Sequence, residues 1–184
     1  MLYSLLNFVL DTVAGLFAGV MLLRFWIQVV RVRPPQQVAQ FTFQLSDWLI
    51  KPLRRVIPGV GGIDWASILG AYLIALVCNA IKIGLIADSF PLSIFLLTVI
   101  SVLQWIIYGW TALLILEVIF SWVNPHAPLA PFVQALNAPL LGPIRRVIPL
   151  LGGLDISPMV LFFLLQLAGK MLIYLSVMAG IASI

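Results

Sequence analysis

The chain has 184 residues, of which 63% are hydrophobic and 9% are charged, and its formal net charge is +4. Soluble globular domains contain about 45–50% apolar and about 25% charged residues, so this composition excludes that class and is typical of an integral membrane protein. With Cys78 as its one cysteine and His126 as its one histidine, the sequence also excludes a disulfide framework or a Cys/His metal cluster within one chain. The cations are spread along the chain, several within apolar stretches, and this argues against nucleic-acid binding.

Four apolar stretches are long enough to cross a bilayer, which takes roughly 20 residues. They cover residues 2–30, 64–87, 92–123 and 157–184. The first resembles a signal peptide in its position, but no basic residue precedes its apolar run, so we interpret it as a mature helix. The third is long enough that we expect it to tilt or to project beyond the bilayer.

The connection between the first two spans, residues 31–62, has an amphipathic pattern. Its apolar side chains recur at spacings of three and four residues, at Phe41, Leu45, Trp48, Leu49, Leu53 and Val56. This period predicts an α-helix with one apolar face. Such a helix lies in the headgroup region, with Trp48 as the interfacial anchor and the basic residues directed towards anionic lipid.

The connection between the last two spans, residues 124–156, has the same apolar positions and several prolines. The matching apolar residues are Phe132, Leu136, Leu140 and Ile144, and the prolines are Pro128, Pro131, Pro139 and Pro143. Because a proline inside a helix lacks a backbone N–H and clashes with the preceding turn, we expect this connection to form short helical pieces.

One phrase occurs in both connections: PLRRVIPGVGGIDWAS at 52–67 returns as PIRRVIPLLGGLDISP at 143–158, 91 residues later. This duplication predicts two tandem units, residues 1–90 and 91–184, each made of a helix, an interfacial connection and a second helix. Since each unit crosses the membrane twice, both have the same orientation. The predicted fold is therefore an all-α membrane protein of four transmembrane helices, with a pseudo-two-fold axis along the membrane normal.

The repeated phrase has the residues of a turn that returns the chain to the bilayer. Its second proline stops a helix, and its glycine pair permits a sharp reversal with positive φ. Its aspartate then caps the next helix, and Ser157-Pro158 adds a second start signal in the later copy. The residues of this motif are Pro52, Arg54, Arg55, Pro58, Gly61, Gly62 and Asp64, and in the second copy Pro143, Arg145, Arg146, Pro149, Gly152, Gly153 and Asp155.

The arginine pair of each phrase has three possible roles. It can fix the topology and contact headgroup phosphates. One arginine of each pair can instead fold back onto the aspartate of its own phrase in a charge-assisted hydrogen bond. The pair can also bind an anionic lipid or an acidic segment of another protein.

The distribution of cations predicts the topology. Residues 31–62 contain five of them and residues 124–156 contain Arg145 and Arg146, whereas the short connection 88–91 has none. The positive-inside rule therefore places both long connections in the cytoplasm and both termini outside, which in a bacterial inner membrane is the periplasm.

Several polar residues lie within the spans and are functional candidates because they are expensive there. In the first helices of the units, residues 93 apart correspond, so Arg24 matches Glu117 and Asp11 matches Gln104. Arg24 and Glu117 then lie at equal depth, which predicts an ion pair between the units. The alternative is that Arg24 extends to the headgroups while Glu117 is neutral or bound by Ser121 or Trp122.

Three further polar residues belong to the second helices of the units. Lys82 lies at the depth of Asp11, which predicts a local ion pair between these two residues. Asn79 matches Lys170, 91 residues later. Lys170 either extends outward or faces a wet cavity together with Asn79 and Gln104.

Two in-register copies of P-[LI]-R-R-V-I-P-x-x-G-G-[IL]-D, each between apolar helices, closely resemble the YggT family of small bacterial inner-membrane proteins. The resemblance covers essentially the whole chain. It implies a non-enzymatic protein with a role in osmotic-stress tolerance, cation uptake, cell or plastid division, or cytochrome b6f assembly. The sequence departs from the family at Glu117, where relatives often carry arginine, and this puts in doubt any mechanism that requires two equivalent arginines.

The residues themselves also argue against catalysis, because no Ser/His/Asp or Cys/His set is present and the six acidic residues lie at different depths. We therefore expect a scaffold or assembly factor that needs no cofactor or metal and acts through its cytoplasmic face. Its expected partners are the bilayer, anionic headgroups, and another membrane protein or a second copy of the chain. The alternative function is a minimal ion or osmolyte conduit that uses the duplicated polar positions as a path.

Overall fold

The computed structural model describes residues 1–57, 59, 61–85, 92–148 and 155–178. These residues form six α-helices: α1 (Leu2–Val30), α2 (Gln36–Val56), α3 (Trp65–Gly84), α4 (Ile94–Val123), α5 (Ala130–Val147) and α6 (Ser157–Met178). Helices α1, α3, α4 and α6 are long and apolar enough to cross a membrane, which confirms the four predicted spans. The connection at 88–91 and the last residues of the fourth span, 179–184, lie outside the described residues.

Helix α2 confirms the predicted helix in the first connection, but it packs through a different line of residues. Thr42, Ser46 and Ile50 are its buried residues, whereas Phe41 and Trp48 of the predicted apolar face remain exposed. The buried residues are spaced by four and therefore form one stripe along the helix. The bulky residues beside this stripe are left available to lipid.

Helix α5 shows that the prediction of short pieces in the second connection was wrong. It is one helix from Ala130 to Val147, with Pro139 and Pro143 inside it and Pro131 in its first turn. Pro131 costs little there, because the first N–H groups of a helix have no partner within the helix. Pro139 and Pro143 are exposed, and the opposite, buried face of α5 holds the helix in place by packing.

Within each unit the two long helices and the connecting helix all contact one another. In the first unit the close approach of α1 and α3 depends on small residues of α3, Gly70, Ala71 and Ala75. A Cβ atom at Gly70 would lie 2.9 Å from the sulfur of Met21 on α1, so this position has no room for a larger residue.

Between the units, α4 contacts α1 and α3, and α5 contacts α1. Trp26 on α1 donates a hydrogen bond from Nε1 to the Leu136 carbonyl on α5 at 3.0 Å. The centre of its ring lies 5.3 Å from the centre of the Trp110 ring on α4. The helix order of the first unit recurs in the second. In the described residues, however, the contact of α3 with α4 has no counterpart between α6 and α1, and the pseudo-two-fold axis remains a prediction.

Candidate functional site

A cluster of charged side chains joins α1, α2 and the start of α3. We define this first cluster as Arg24, Asp47, Arg54 and Asp64. Arg24 is only 5% exposed, and its Nη1 donates to Asp47 Oδ1 and to the hydroxyl of Ser46, both at 2.7 Å. Its Nε lies 3.5 Å from Asp64 Oδ2. The guanidinium of α1 thus holds α2 and the beginning of α3 together.

Asp64 is the most enclosed carboxylate of the first cluster, at 3% exposure. Its Oδ2 accepts from Arg54 Nε at 3.1 Å, from Arg54 Nη2, and from the Ser67 hydroxyl at 2.9 Å. Burial raises the pKa of Asp64, but the hydrogen bonds from Arg54 and Ser67 and the positive charges of Arg54 and Arg24 outweigh it, so the pKa lies below its usual range.

Asp64 stands at the N-cap position of α3 without a side-chain capping bond. The prediction that it caps this helix was therefore wrong. Oδ2 of Asp64 accepts from Arg54 and Ser67, and its Oδ1 has no hydrogen-bond partner among the described residues.

Asp47 connects the first cluster to the surface of α2. Lys51 Nζ lies 3.0 Å from Asp47 Oδ2, one helical turn away, and this lysine is exposed. Burial raises the pKa of Asp47, and the hydrogen bonds and charges of Arg24 and Lys51 lower it further than burial raises it. The Arg24 guanidinium also lies 4.8 Å from the centre of the Phe43 ring, a cation–π contact that holds it from a further side.

The second unit has a corresponding cluster at the junction of α4, α5 and α6. We define this second cluster as Glu117, Asn137, Arg145 and Asp155. Glu117 is buried, and its Oε1 accepts from Arg145 Nη2 at 3.1 Å while its Oε2 accepts from Asn137 Nδ2 at 2.8 Å. Asn137 also donates to the Leu113 carbonyl at 3.0 Å. The carboxylate of α4 therefore binds α5 much as the guanidinium of α1 binds α2.

Asp155 completes the second cluster from the start of α6. It accepts from Arg145 Nε at 2.8 Å and from the backbone N–H of Ser157 at 2.9 Å, which confirms the predicted cap in this copy. Burial raises the pKa of Asp155, but the hydrogen bonds from Ser157 and Arg145 lower it to below its ordinary value. At 30% exposure, Asp155 is far more open to solvent than Asp64.

The structure separates the two arginines of each repeated phrase. Arg54 and Arg145 fold back onto the aspartates of their own phrases, which confirms that reading. Arg55 and Arg146 are exposed. All four arginines are exposed, and the difference within each pair is that Arg54 and Arg145 are bound to aspartates, whereas Arg55 and Arg146 form no ion pair among the described residues.

The other residues of the phrase have mixed outcomes. Gly61 and Gly62 have φ values of 68° and 79°, which confirms the predicted reversal in the first copy. Pro52 and Pro143 lie inside helices α2 and α5, near their ends. Pro58, Pro149, Gly152 and Gly153 lie outside the described residues.

The predicted ion pair between Arg24 and Glu117 was wrong. Arg24 pairs with Asp47 of its own unit, and Glu117 pairs with Arg145 of its own unit. Equal depth does not determine the direction in which a side chain points around its helix. In each unit the connecting helix supplies the opposite charge. Asp47 of α2 pairs with Arg24, and Arg145 of α5 pairs with Glu117.

The remaining polar candidates make separate contacts. Lys82 Nζ and Asp11 Oδ1 form the predicted ion pair. Asn79 is buried, and its Nδ2 donates across the units to Ser101 Oγ at 3.2 Å and to Thr98 Oγ1 at 3.4 Å. Gln104 is half-buried and Lys170 is exposed on α6. The predicted common polar cavity of Asn79, Gln104 and Lys170 is therefore not what the described contacts form.

Sequence reasoning missed four residues that complete these contacts: Ser46, Asp47, Ser67 and Asn137. Ser46 and Asp47 of α2 lie outside the apolar positions from which the amphipathic helix was predicted. A signal was present, since Ser46 and Asn137 correspond across the 91-residue repeat. Each lies where its connecting helix meets the buried charge on the first helix of its unit.

An apolar cleft of about 440 Å³ lies between α1 and α4. Its wall includes Trp26, Trp105 and Trp110, and none of its lining residues is ionisable. Among the described residues no group of three His, Cys, Asp or Glu side chains comes together to hold a metal ion. The described polar groups thus connect helices, and the cleft between α1 and α4 is suited to hydrocarbon.

The sequence matches a model of the CCB3/YggT family over residues 3–86 and 96–176. An uncharacterised protein of Pseudomonas aeruginosa is 37% identical over 171 residues, which cover 90% of this chain and 87% of the relative. The uncharacterised protein YggT of Escherichia coli K12 is 37% identical over 167 residues, 87% of this chain and 85% of the relative. A Vibrio alginolyticus protein is 34% identical over 169 residues, 89% of this chain and 90% of the relative. No solved structure matches the chain.

Proposed function

This chain belongs to the CCB3/YggT family, and from that premise we propose that it is a non-enzymatic membrane scaffold. It lies in the bacterial inner membrane with its termini in the periplasm and α2 and α5 on the cytoplasmic side. These two helices form the surface on which a membrane-protein partner and anionic lipid headgroups dock. The family resemblance directs the search for that partner to osmotic-stress tolerance and cell division.

The separation of the arginine pairs is the observation that carries this proposal. Arg54 and Arg145 fix the start of the next helix through Asp64 and Asp155. Their neighbours Arg55 and Arg146 are exposed one residue further along. Helix packing and ion pairs hold the backbone at each of these positions, while the exposed side chains of Arg55 and Arg146 keep their rotamer freedom. An ordered backbone lowers the part of the entropic cost of binding an anionic partner that comes from ordering the chain.

The enclosed polar groups favour a scaffold over a conduit. A conducting path needs polar groups in succession along a pore. Here the buried charges bind each other at one end of the helices, and the cleft between the units has no ionisable lining. Asn79 and the Asp11–Lys82 pair are bound in separate helix contacts.

A purification experiment tests the docking surface. The protein, extracted from its native membranes in mild detergent, should co-purify with a stoichiometric membrane complex. The double change Arg55→Gln and Arg146→Gln should release that complex without lowering the unfolding temperature. As a matched control, Arg31→Gln with Arg33→Gln removes the same charge from exposed positions on the same side and should keep it. Equal loss in both variants, or no complex with the original protein, would contradict the proposal.

A flux experiment separates scaffold from conduit. The protein reconstituted in liposomes should pass no more K⁺ or Na⁺ than empty liposomes. Glu117→Gln should leave that background unchanged, because Glu117 is bound to Arg145 and Asn137 rather than to a moving ion. Flux that depends on Glu117 would instead establish the conduit.

A further inference from the structure

The exposed face of α6 contains polar groups at membrane depth. Gln166, Lys170 and Tyr174 are spaced by four residues and are all exposed. Lys170 is thirteen residues into α6, which places it about 20 Å along the helix at about 1.5 Å per residue. Ionisable residues within spans almost always face protein or water rather than lipid. This face of α6 therefore has the character of a contact surface.

The repeat shows which contact this face resembles. Residues 91 apart correspond in α3 and α6, so Gln166 corresponds to Ala75 and Lys170 corresponds to Asn79. Both α3 residues are buried, and Asn79 binds Ser101 and Thr98 of α4. Lys170 is thus exposed on α6 at the position where Asn79 of α3 is covered by α4.

The other half of such a contact is also uncovered in this chain. Residues 93 apart correspond in α1 and α4, so Thr98 matches Leu5 and Ser101 matches Phe8. Leu5 and Phe8 are 61% and 68% exposed, whereas Thr98 is fully buried. In the described residues α1 and α6 do not contact each other. Both surfaces of a second interface of the α3–α4 type are therefore present and unused.

We propose that α6 of one copy of the chain binds α1 of a second copy, in the way that α3 binds α4 within the chain. Charge complementarity supports this occupant. Asp11 lies three residues from Phe8, on the same side of α1, and remains 53% exposed although it pairs with Lys82. The long side chain of Lys170 reaches that carboxylate from the position equivalent to Asn79.

A single contact between α6 and α1 joins two different surfaces of the chain and is heterologous, whereas the two reciprocal contacts of a two-chain ring together form an isologous, two-fold symmetric interface. Heterologous contacts close into a ring when the rotation between copies permits. The smallest such ring contains two chains and four units. In this ring α3 is covered by α4 of its own chain, and α6 is covered by α1 of the other chain.

Cysteine cross-linking tests this interface. All variants carry Cys78→Ala, which removes the one natural cysteine. Phe8→Cys and Lys170→Cys are placed in separate chains with different tags and produced together in the same membrane. Oxidation should give a disulfide-linked species that carries both tags, since the side chains of Asn79 and Ser101 at the equivalent positions are in contact, with 3.2 Å between Nδ2 and Oγ. Leu5→Cys, at the position equivalent to Thr98, should give the same product and replaces Phe8→Cys if that variant does not fold.

The matched control is Ala168→Cys, which is also exposed on α6 but lies on nearly the opposite side of the helix. It should lose the cross-linked species. The mixed-tag species should also fall when Asp11→Asn is present in the chain with Lys170→Cys, because the intact Lys170 of the Phe8→Cys chain then loses its partner at the second contact of the ring. Three results would each overturn the proposal. The first is a disulfide within a single chain that carries both Phe8→Cys and Lys170→Cys. The others are equal products from Lys170→Cys and Ala168→Cys, and no cross-link between folded variants.

Discussion

The two charged clusters both attach the connecting helix of a unit to its first long helix, but the buried residues at their centres have opposite charges. In the first cluster a buried arginine of α1 binds an aspartate and a serine of α2. In the second cluster a buried glutamate of α4 binds an arginine and an asparagine of α5. Position 24 and position 117 correspond in the repeat, and so do Ser46 and Asn137.

The comparison shows that the charge at position 24 or 117 matches the partners that the connecting helix of the same unit supplies. Ala138 occupies the place that corresponds to Asp47, so the second unit lacks the counter-ion that a buried arginine would need. Asn137 supplies an amide donor where Ser46 supplies a hydroxyl acceptor for Arg24. The Arg–Asp pair of the repeated phrase is the part that both clusters share.

The largest expected effect is that of Arg24→Glu, which copies the second cluster's charge into the first. The new carboxylate would face Asp47 and Asp64, and Arg54, the remaining cation of the first cluster, is itself 44% exposed. Losing one partner of a buried ion pair costs about 3–5 kcal/mol, so folded protein should be nearly absent from detergent extracts. Adding Ser46→Asn and Asp47→Ala, which completes the copy, should recover folded protein. If the triple variant is no better than Arg24→Glu alone, the equivalence of the clusters is wrong.

The shared aspartates should differ in their contributions to stability. Asp64→Asn leaves two arginines beside a neutral amide in a buried place, and we expect a loss of about 3 kcal/mol in the free energy of unfolding. Asp155→Asn removes a carboxylate that is 30% exposed, and solvent should limit its cost to about 1 kcal/mol. Denaturant titration in mixed micelles measures both values. Equal costs would show that the difference in exposure between the clusters has no energetic meaning.

Acid should destabilise the protein mainly through the first cluster. The pKa values of Asp47, Asp64 and Asp155 are all lowered in the folded protein. Their contribution is therefore fully present above the unfolded value of about 3.9 and is lost as the pH falls through the lower folded values. The midpoint of thermal unfolding in detergent should be flat from neutral pH to about pH 5 and fall below about pH 4. Most of this fall should persist in Asp155→Asn, and its disappearance there would assign acid sensitivity to the second cluster.

A smaller effect is expected for Glu117→Gln. The substitution keeps the shape of the side chain and a carbonyl that can accept from Asn137, and Arg145 retains Asp155. The lost charge-assisted bond should cost about 1–2 kcal/mol, measured by the same titration. A cost as large as that of Asp64→Asn would mean that Glu117, rather than Asp155, is the main partner of Arg145.

The smallest effect is expected outside both clusters. The Asp11–Lys82 pair is partly exposed, and pairs of this kind contribute roughly 0–1 kcal/mol. Asp11→Asn should therefore change the unfolding free energy of the monomer by less than any substitution in either cluster. A larger loss would show that this pair holds α1 to α3 as strongly as the clusters hold the connecting helices.

The spans and the Arg–Asp pairs could be predicted because each depends on short-range information. Apolar length defines a crossing, and Arg54 and Asp64 are ten residues apart on the two sides of a turn. The pairing of Arg24 could not be predicted, because depth along a helix leaves its rotation undetermined. The continuity of α5 through Pro139 and Pro143 depends on burial of the opposite face, which sequence period alone does not measure.

The central claim is that each cluster fixes the connecting helix of its own unit. Amide hydrogen exchange of Arg24→Leu and Glu117→Leu tests it most directly, because exchange reports local opening along the chain. Arg24→Leu should accelerate exchange in residues 36–56 and leave residues 130–147 unchanged, and Glu117→Leu should do the reverse. Exchange that is unchanged in both segments, or that accelerates equally in both segments for either variant, would contradict the claim.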